Sequence, residues 1–173
     1  ADQARGWSPD GKKVLFLSGM TSATQRYPKL FTVSTDGELP QELPLPMTGN
    51  WASYSPDAKQ LAYTTITDAF ATWKRYRGGM TTPIRIVNLQ TLESELIPHE
   101  NASDVQPVWL GNKVFFMSDR NHTMNVFEYD GVTKKVRQLT SHKDYDVKNL
   151  SGSGSDLIYE QAGKLHILNT QTS

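Results

Sequence analysis

Short apolar runs with period-two alternation recur along the chain, each entered through a polar turn. Val14-Leu-Phe-Leu places Val14 and Phe16 on one face of a strand and Leu15 and Leu17 on the other, and Leu61-Ala-Tyr-Thr, Val114-Phe-Phe-Met and Leu157-Ile-Tyr follow the same rule. About fifteen to twenty residues after each comes a second apolar segment: Leu30-Phe-Thr-Val, Ile84-Arg-Ile-Val, Asn125-Val-Phe-Glu and Leu165-His-Ile-Leu. Turn residues close these strands at Ser34-Thr-Asp-Gly, Asn88-Leu-Gln-Thr, Tyr129-Asp-Gly-Val and Asn169-Thr-Gln-Thr. A shorter outer strand follows, clearest at Ser94-Glu-Leu-Ile and Lys135-Val-Arg-Gln-Leu. A helical pattern of useful length is absent, residues 68–75 being the one candidate.

The turn before each first strand shows that these segments are copies of one unit. Trp7-Ser-Pro-Asp-Gly-Lys-Lys-Val, Tyr54-Ser-Pro-Asp-Ala-Lys-Gln-Leu and Trp109-Leu-Gly-Asn-Lys-Val share a design, and Leu150-Ser-Gly-Ser-Gly-Ser-Asp-Leu keeps its shape. Proline presets φ, aspartate bonds its own backbone, and glycine accepts positive φ. Aligned on Val14, Leu61, Val114 and Leu157, the copies are spaced 47, 53 and 43 residues apart, the period of β-propeller blades. Four antiparallel strands per unit, each unit needing neighbours to bury both faces, predict an all-β propeller. The blades are expected at 1–49, 50–103, 104–148 and an incomplete 149–173. The chain reads as opening at the end of an inner strand and stopping inside a fourth unit, which predicts an incomplete arc of a six-bladed ring. Open apolar faces of such an arc would be covered by the remaining blades of a longer polypeptide or by self-association.

Composition narrows the partners. Charges balance at 18 basic against 18 acidic residues, so no bulk field favours nucleic acid or an anionic membrane. No apolar run approaches a membrane span, and no signal-peptide core occurs near Ala1. Cysteine is absent, excluding disulfides and thiolate metal sites; this suits the cytoplasm and a bacterial periplasm alike, and the periplasm is the expectation carried forward.

The Ser-Pro-Asp-Gly-Lys phrase resembles the repeat of TolB-like propellers, and of the propellers of tricorn-type and prolyl-oligopeptidase-type peptidases. Trp73-Lys-Arg-Tyr-Arg-Gly-Gly with Thr82-Pro-Ile-Arg-Ile-Val is similar to the second blade of the first propeller in tricorn-like peptidases. Phe116-Met-Ser-Asp-Arg-Asn, Asn125-Val-Phe-Glu-Tyr-Asp, Val136-Arg-Gln-Leu-Thr, Asp144-Tyr-Asp-Val-Lys and Tyr159-Glu-Gln-Ala-Gly-Lys-Leu-His extend the likeness over the chain. A tricorn-like serine peptidase of the S41 class is the family this implies. Its propellers guide peptides toward a core further along the polypeptide, so the resemblance implies a non-catalytic piece, with no cofactor, acting within a larger protease. The rival expectations are a TolB-like protein-binding propeller and the gating propeller of a prolyl-oligopeptidase-type enzyme.

Lys74, Arg75 and Arg77 are the sharpest candidate site, because they concentrate charge in the segment that lengthens one blade. The resemblance implies a basic pair that holds the C-terminal carboxylate of a peptide, a task the planar guanidinium fork suits. The alternative is a solvated loop, or arginines that brace the blade. Gly78 and Gly79 read as the loop's exit. Asp119-Arg120 is expected to close a hairpin by an Asx turn or local ion pair. His99, His122, His142 and His166 lack metal-ligand spacing; His99 reads as loop chemistry and His166 as a packed or edge residue. Ser151-Gly-Ser-Gly-Ser lacks nucleophile-elbow spacing and reads as a degenerate turn. Trp7, Trp51, Tyr54 and Trp109 are expected to pack between blades.

Overall fold

The computed structural model describes residues 2–24, 27–66 and 73–172. Its first sheet contains β1 (Gln3–Trp7), β2 (Lys13–Ser18), β3 (Lys29–Ser34) and β4 (Gln41–Glu42); the second contains β5 (Ala52–Tyr54), β6 (Gln60–Thr64), β7 (Ile84–Asn88) and β8 (Ser94–Leu96). The third holds β9 (Asp104–Leu110), β10 (Lys113–Ser118), β11 (Asn125–Asp130) and β12 (Val136–Gln138), and the fourth β13 (Val147–Ser153), β14 (Asp156–Gln161) and β15 (Lys164–Asn169). Every sheet is an antiparallel meander in sequence order, the build of a propeller blade. In the first blade β1 pairs with β2 from Gln3 to Trp7. Most of the proposed helix, 68–72, lies outside the described residues, and Lys74 and Arg75 form a turn.

Each sheet packs on the next through side chains that alternate along β2, β6, β10 and β14. Leu15, Leu17 and Leu30 meet Leu61, Tyr63 and Val87 of the second sheet. Ala62, Ile84 and Ile86 meet Val114, Phe116, Phe127 and Tyr129 of the third. Phe115, Met117 and Val126 meet Leu157 and Tyr159 of the fourth. A cross-strand pair recurs two positions past each alignment residue: Phe16–Phe31, Tyr63–Arg85, Phe116–Phe127 and Tyr159–His166. Three of these pairs stack, at 5.7, 6.0 and 5.1 Å between ring centroids, a contact that adds to plain area burial.

The Ser-Pro-Asp turns are held mainly by their serine. Ser8 Oγ donates to Asp10 Oδ1 at 2.5 Å and accepts from Lys13 N at 2.9 Å, while Asp10 Oδ1 accepts from Lys12 N. Ser55, Asp57, Lys59 and Gln60 repeat the same bonds. Gly11 stands at φ +70°, and Ala58 takes the equivalent place at φ +59°, a left-handed conformation that costs a residue with a Cβ about 1 kcal/mol.

Two features depart from the repeat read in the sequence. In the fourth sheet Gly152, not Leu150, pairs with Leu157, in the register of Trp109 opposite Val114. Leu150 is buried between the third and fourth blades, and Ser151 lies in β13 rather than in the turn. The inner strands also bulge, at Arg5, Gln106 and Asn149, the latter two with φ +50° and +53°. The bulges turn side chains toward the following blade: Arg5 donates to Asn50 O at 2.8 Å, and Gln106 Oε1 accepts from Leu150 N at 2.9 Å.

Of the aromatics expected between blades, Tyr54 and Trp109 are half-buried against the cores they adjoin, and Trp51 lies under Arg5, 4.1 Å from guanidinium carbon to ring centroid. Trp7 is 61 % exposed. The outward face of the fourth sheet carries Ile158, Leu165 and Ile167, exposed at positions equivalent to buried Phe115 and Val126 and to Glu128 of the third sheet.

Candidate functional site

The connection from β6 to β7, residues 65–83, is the longest between strands of one sheet. From Trp73 onward it lies across the loops of two later blades. Trp73 stacks on Tyr76 at 5.8 Å and is itself exposed. Lys74 Nζ reaches Asp146 Oδ2 at 2.7 Å, just before β13. Arg75, at φ +57°, donates from Nε to His122 O at 3.0 Å. Arg77 grips Asp119 twice, from one terminal nitrogen to Oδ2 at 2.9 Å and from the other to the main-chain carbonyl at 2.8 Å. Gly78 N donates to Asn101 Oδ1 at 3.0 Å. One loop of the second blade is thus tied to the third and to the lead-in of the fourth.

The three basic residues differ in how far the protein uses them. Arg77 is committed: Asp119 is 3 % exposed, and its other carboxylate oxygen accepts from Ser103 N at 2.8 Å. Arg75 spends only Nε, so among the described residues its two terminal nitrogens have no partner, and the residue is exposed. Lys74 is two-thirds exposed, and its bond to Asp146 is an ion pair open to water, of the kind exchanged at little cost.

Beneath this loop Asp119 and Arg120 stand in the hairpin between β10 and β11, where His122 N donates to Asp119 O at 2.8 Å, but their side chains form two long-range clamps in place of the expected Asx turn or local ion pair. Asp119 is the partner of Arg77 and Ser103, as above. Arg120 donates to both carboxylate oxygens of Asp104, at 3.1 and 3.0 Å, and its guanidinium lies over Phe116 and Phe127 at 5.5 and 5.0 Å. Asp104 is fully buried and also meets His99 Nδ1 at 2.9 Å, so His99 belongs to the brace rather than to free loop chemistry. Hydrogen-bonded pairs like these meet the condition for burying a charge.

A cleft of about 460 Å³ opens beside Lys74, lined also by Tyr145, Asp146, Lys148, Glu160 and Gln161. It sets two ammonium groups opposite two carboxylates. A second hollow of about 410 Å³ lies between loops of the first and second blades, with Tyr27, Pro28, Asn50, Ile66 and Met80 on its walls. The structure also unites His142 and His166, which the sequence leaves 24 residues apart: their rings meet edge-on at 5.7 Å around Tyr159. Only the recurrence of the stacked pair, visible once registers are known, signals that cluster. Among the described residues no group of three or more histidine, aspartate or glutamate side chains is placed to hold a metal ion.

The sequence pattern of the tricorn protease N-terminal beta propeller domain matches residues 1–173. The chain belongs to the tricorn N-terminal propeller family. It is 28 % identical over 167 residues to tricorn protease homolog 1 of Streptomyces coelicolor, covering 96 % of this chain and 15 % of that protein. With the tricorn protease of Thermoplasma acidophilum it shares 29 % identity over 101 residues, 58 % of this chain and 9 % of the other. The propeller chain therefore spans a small part of the length of its curated relatives. Among solved structures, TolB from Acinetobacter baumannii superposes with a TM-score of 0.73 at 20 % identity, over 100 % of this chain and 42 % of that one. The crystal structure of the tricorn protease gives 0.60 at 19 %, over 98 % and 21 %. At such identities the structural likeness speaks to the fold alone, which both relatives show to be a propeller.

Proposed function

We propose that this tricorn-type propeller guides peptides toward a protease core elsewhere in a longer polypeptide, and that its 73–82 loop anchors the peptide's C-terminal carboxylate. The observation that carries the reading is Arg75: an exposed guanidinium fixed through Nε to His122 O, whose two terminal nitrogens have no partner among the described residues. Such a fork is pre-aligned for bidentate contact with a carboxylate, so little side-chain entropy remains to be lost on binding. Lys74 serves as the second cation by exchanging Asp146 for the peptide carboxylate. Arg77 acts one step back, since its grip on Asp119 fixes the loop that carries Arg75.

The test uses the full-length polypeptide and paired peptides that differ only in a free or amidated C-terminus. A charge-assisted hydrogen bond contributes about 1.5–3 kcal/mol, so Arg75→Ala is expected to raise KM for free-carboxylate peptides by about 10–100-fold. Amidated peptides should change little. An equal effect on both peptides would refute the anchor while leaving the propeller assignment intact.

A further inference from the structure

The stacked pair found in the first and third blades changes chemistry in the fourth. In the first and third blades it is Phe16–Phe31 and Phe116–Phe127, which no proton can alter. In the fourth it is Tyr159 on His166, nearly parallel at 5.1 Å, with the His142 ring packed edge-on against both. The third blade's pair is capped by Arg120, permanently charged and neutralised by Asp104. The fourth blade's pair is capped by an imidazole with no carboxylate among the described residues paired to it.

His142 joins two bodies. Its backbone is fastened to the third blade, where buried Asn125 accepts from His142 N at 2.8 Å and donates to His142 O at 3.0 Å. Its ring belongs to the fourth blade, with Nε2 3.3 Å from Tyr159 Oη. His166 Nε2 is buried and has no hydrogen-bond partner among the described residues. We propose that the His142–Tyr159–His166 stack is a proton-operated latch that holds the third and fourth blades together while neutral and loosens their junction when an imidazole is protonated.

The surroundings give the added charge nowhere to go. Glu128, on the third-blade face toward the fourth, is held by Lys113 and Arg137. Asp146 is held by Lys74 and Met124 N, and Glu160 by Asn149. Lys143 and Asp144, in the same linker, are exposed. Tyr159 stays neutral, its hydroxyl pushed up by burial. Burial first, and then the neighbouring His166, hold His142 below the ordinary histidine value. The unfolded chain therefore binds more protons than the folded one in this range. Stability is full above the ordinary histidine value and is lost as pH falls through the lower folded value. The latch is independent of the carboxylate anchor, because it requires no ligand.

Imidazole NMR titration of the protein tests this directly. In the wild type His142 should titrate below about 6.5, the unperturbed histidine value, and the amides of Val147 and Leu157 at the blade junction should shift with the same midpoint. His166→Phe removes the neighbouring imidazole and should move the His142 midpoint upward. The melting temperature of the wild type should fall by at least about 2 °C more between pH 7.5 and 5.5 than that of His142→Phe with His166→Phe. A wild-type His142 midpoint at about 6.5, or junction amides that ignore it, overturns the proposal; the wild-type titration decides even if a variant does not fold.

Discussion

Arg120→Ala removes one half of the most deeply buried ion pair described in the protein. Asp104 is inaccessible to solvent and the Arg120 side chain is 8 % exposed, so water does not replace the lost guanidinium. Breaking such a pair from one side costs about 3–5 kcal/mol, because a buried carboxylate is left uncompensated. His99 Nδ1 still meets Asp104 at 2.9 Å, which sets the expectation at the lower end, about 3 kcal/mol. For a chain of this length that corresponds to a fall in melting temperature of about 6–12 °C. Thermal and urea unfolding measure it, with Glu95→Ala as the control: Glu95 also pairs with a cation, Lys134, but the two side chains are 47 % and 55 % exposed and such pairs contribute about 0–1 kcal/mol. Adding Asp104→Leu to Arg120→Ala should recover part of the loss, since the stranded charge is then gone. A loss under about 1 kcal/mol for Arg120→Ala, or no recovery in the double variant, would show that the clamp does not brace the third blade as described.

Gly152 sits where the first three blades have an aromatic residue, and a Cβ there would lie 2.8 Å from Leu157 Cδ2, 3.0 Å from Val108 Cγ1 and 3.2 Å from Asp156 O. Gly152→Ala should cost about 1–3 kcal/mol by overpacking, whereas Gly6→Ala, with nothing within 4 Å, should be near neutral in the same urea titration. Burial pushes the Glu128 carboxyl upward, but hydrogen bonds from Arg137 and Lys113 outweigh it and hold the group below the ordinary glutamate value. Its contribution to stability is present above that ordinary value and is lost as pH falls through the lower folded value; Glu128→Gln should flatten that acid limb of the stability–pH curve.

Strand positions were legible because alternation and turn chemistry are local. Val14 to Leu17 form β2 as their pattern predicts, and Asp10 bonds its own turn. The serine of that turn, which contributes bonds at both ends, was equally local but hidden behind the more familiar roles of proline and glycine. Register in the fourth blade was harder. Leu150 looks like the missing aromatic, yet a shorter turn slides Gly152 into that place and a bulge at Asn149 sends Leu150 into the core. The letter of Gln106 does not announce its positive φ, and that of Asn149 only permits one.

For the candidate site, sequence alone identified the basic loop by its extra length and charge, and identified blades by their period. Which cation is available and which is consumed was decided by tertiary structure. Arg77 answers to Asp119, 42 residues away, and Lys74 to Asp146, farther still. The same holds for Asp104 with Arg120 and for His142 with His166. A repeat writes its strands into each unit separately, because hydrophobic alternation acts over a few residues. The charges and imidazoles between units take their meaning from stacking, which brings residues of different blades into one low-dielectric junction and there determines which of them are paired.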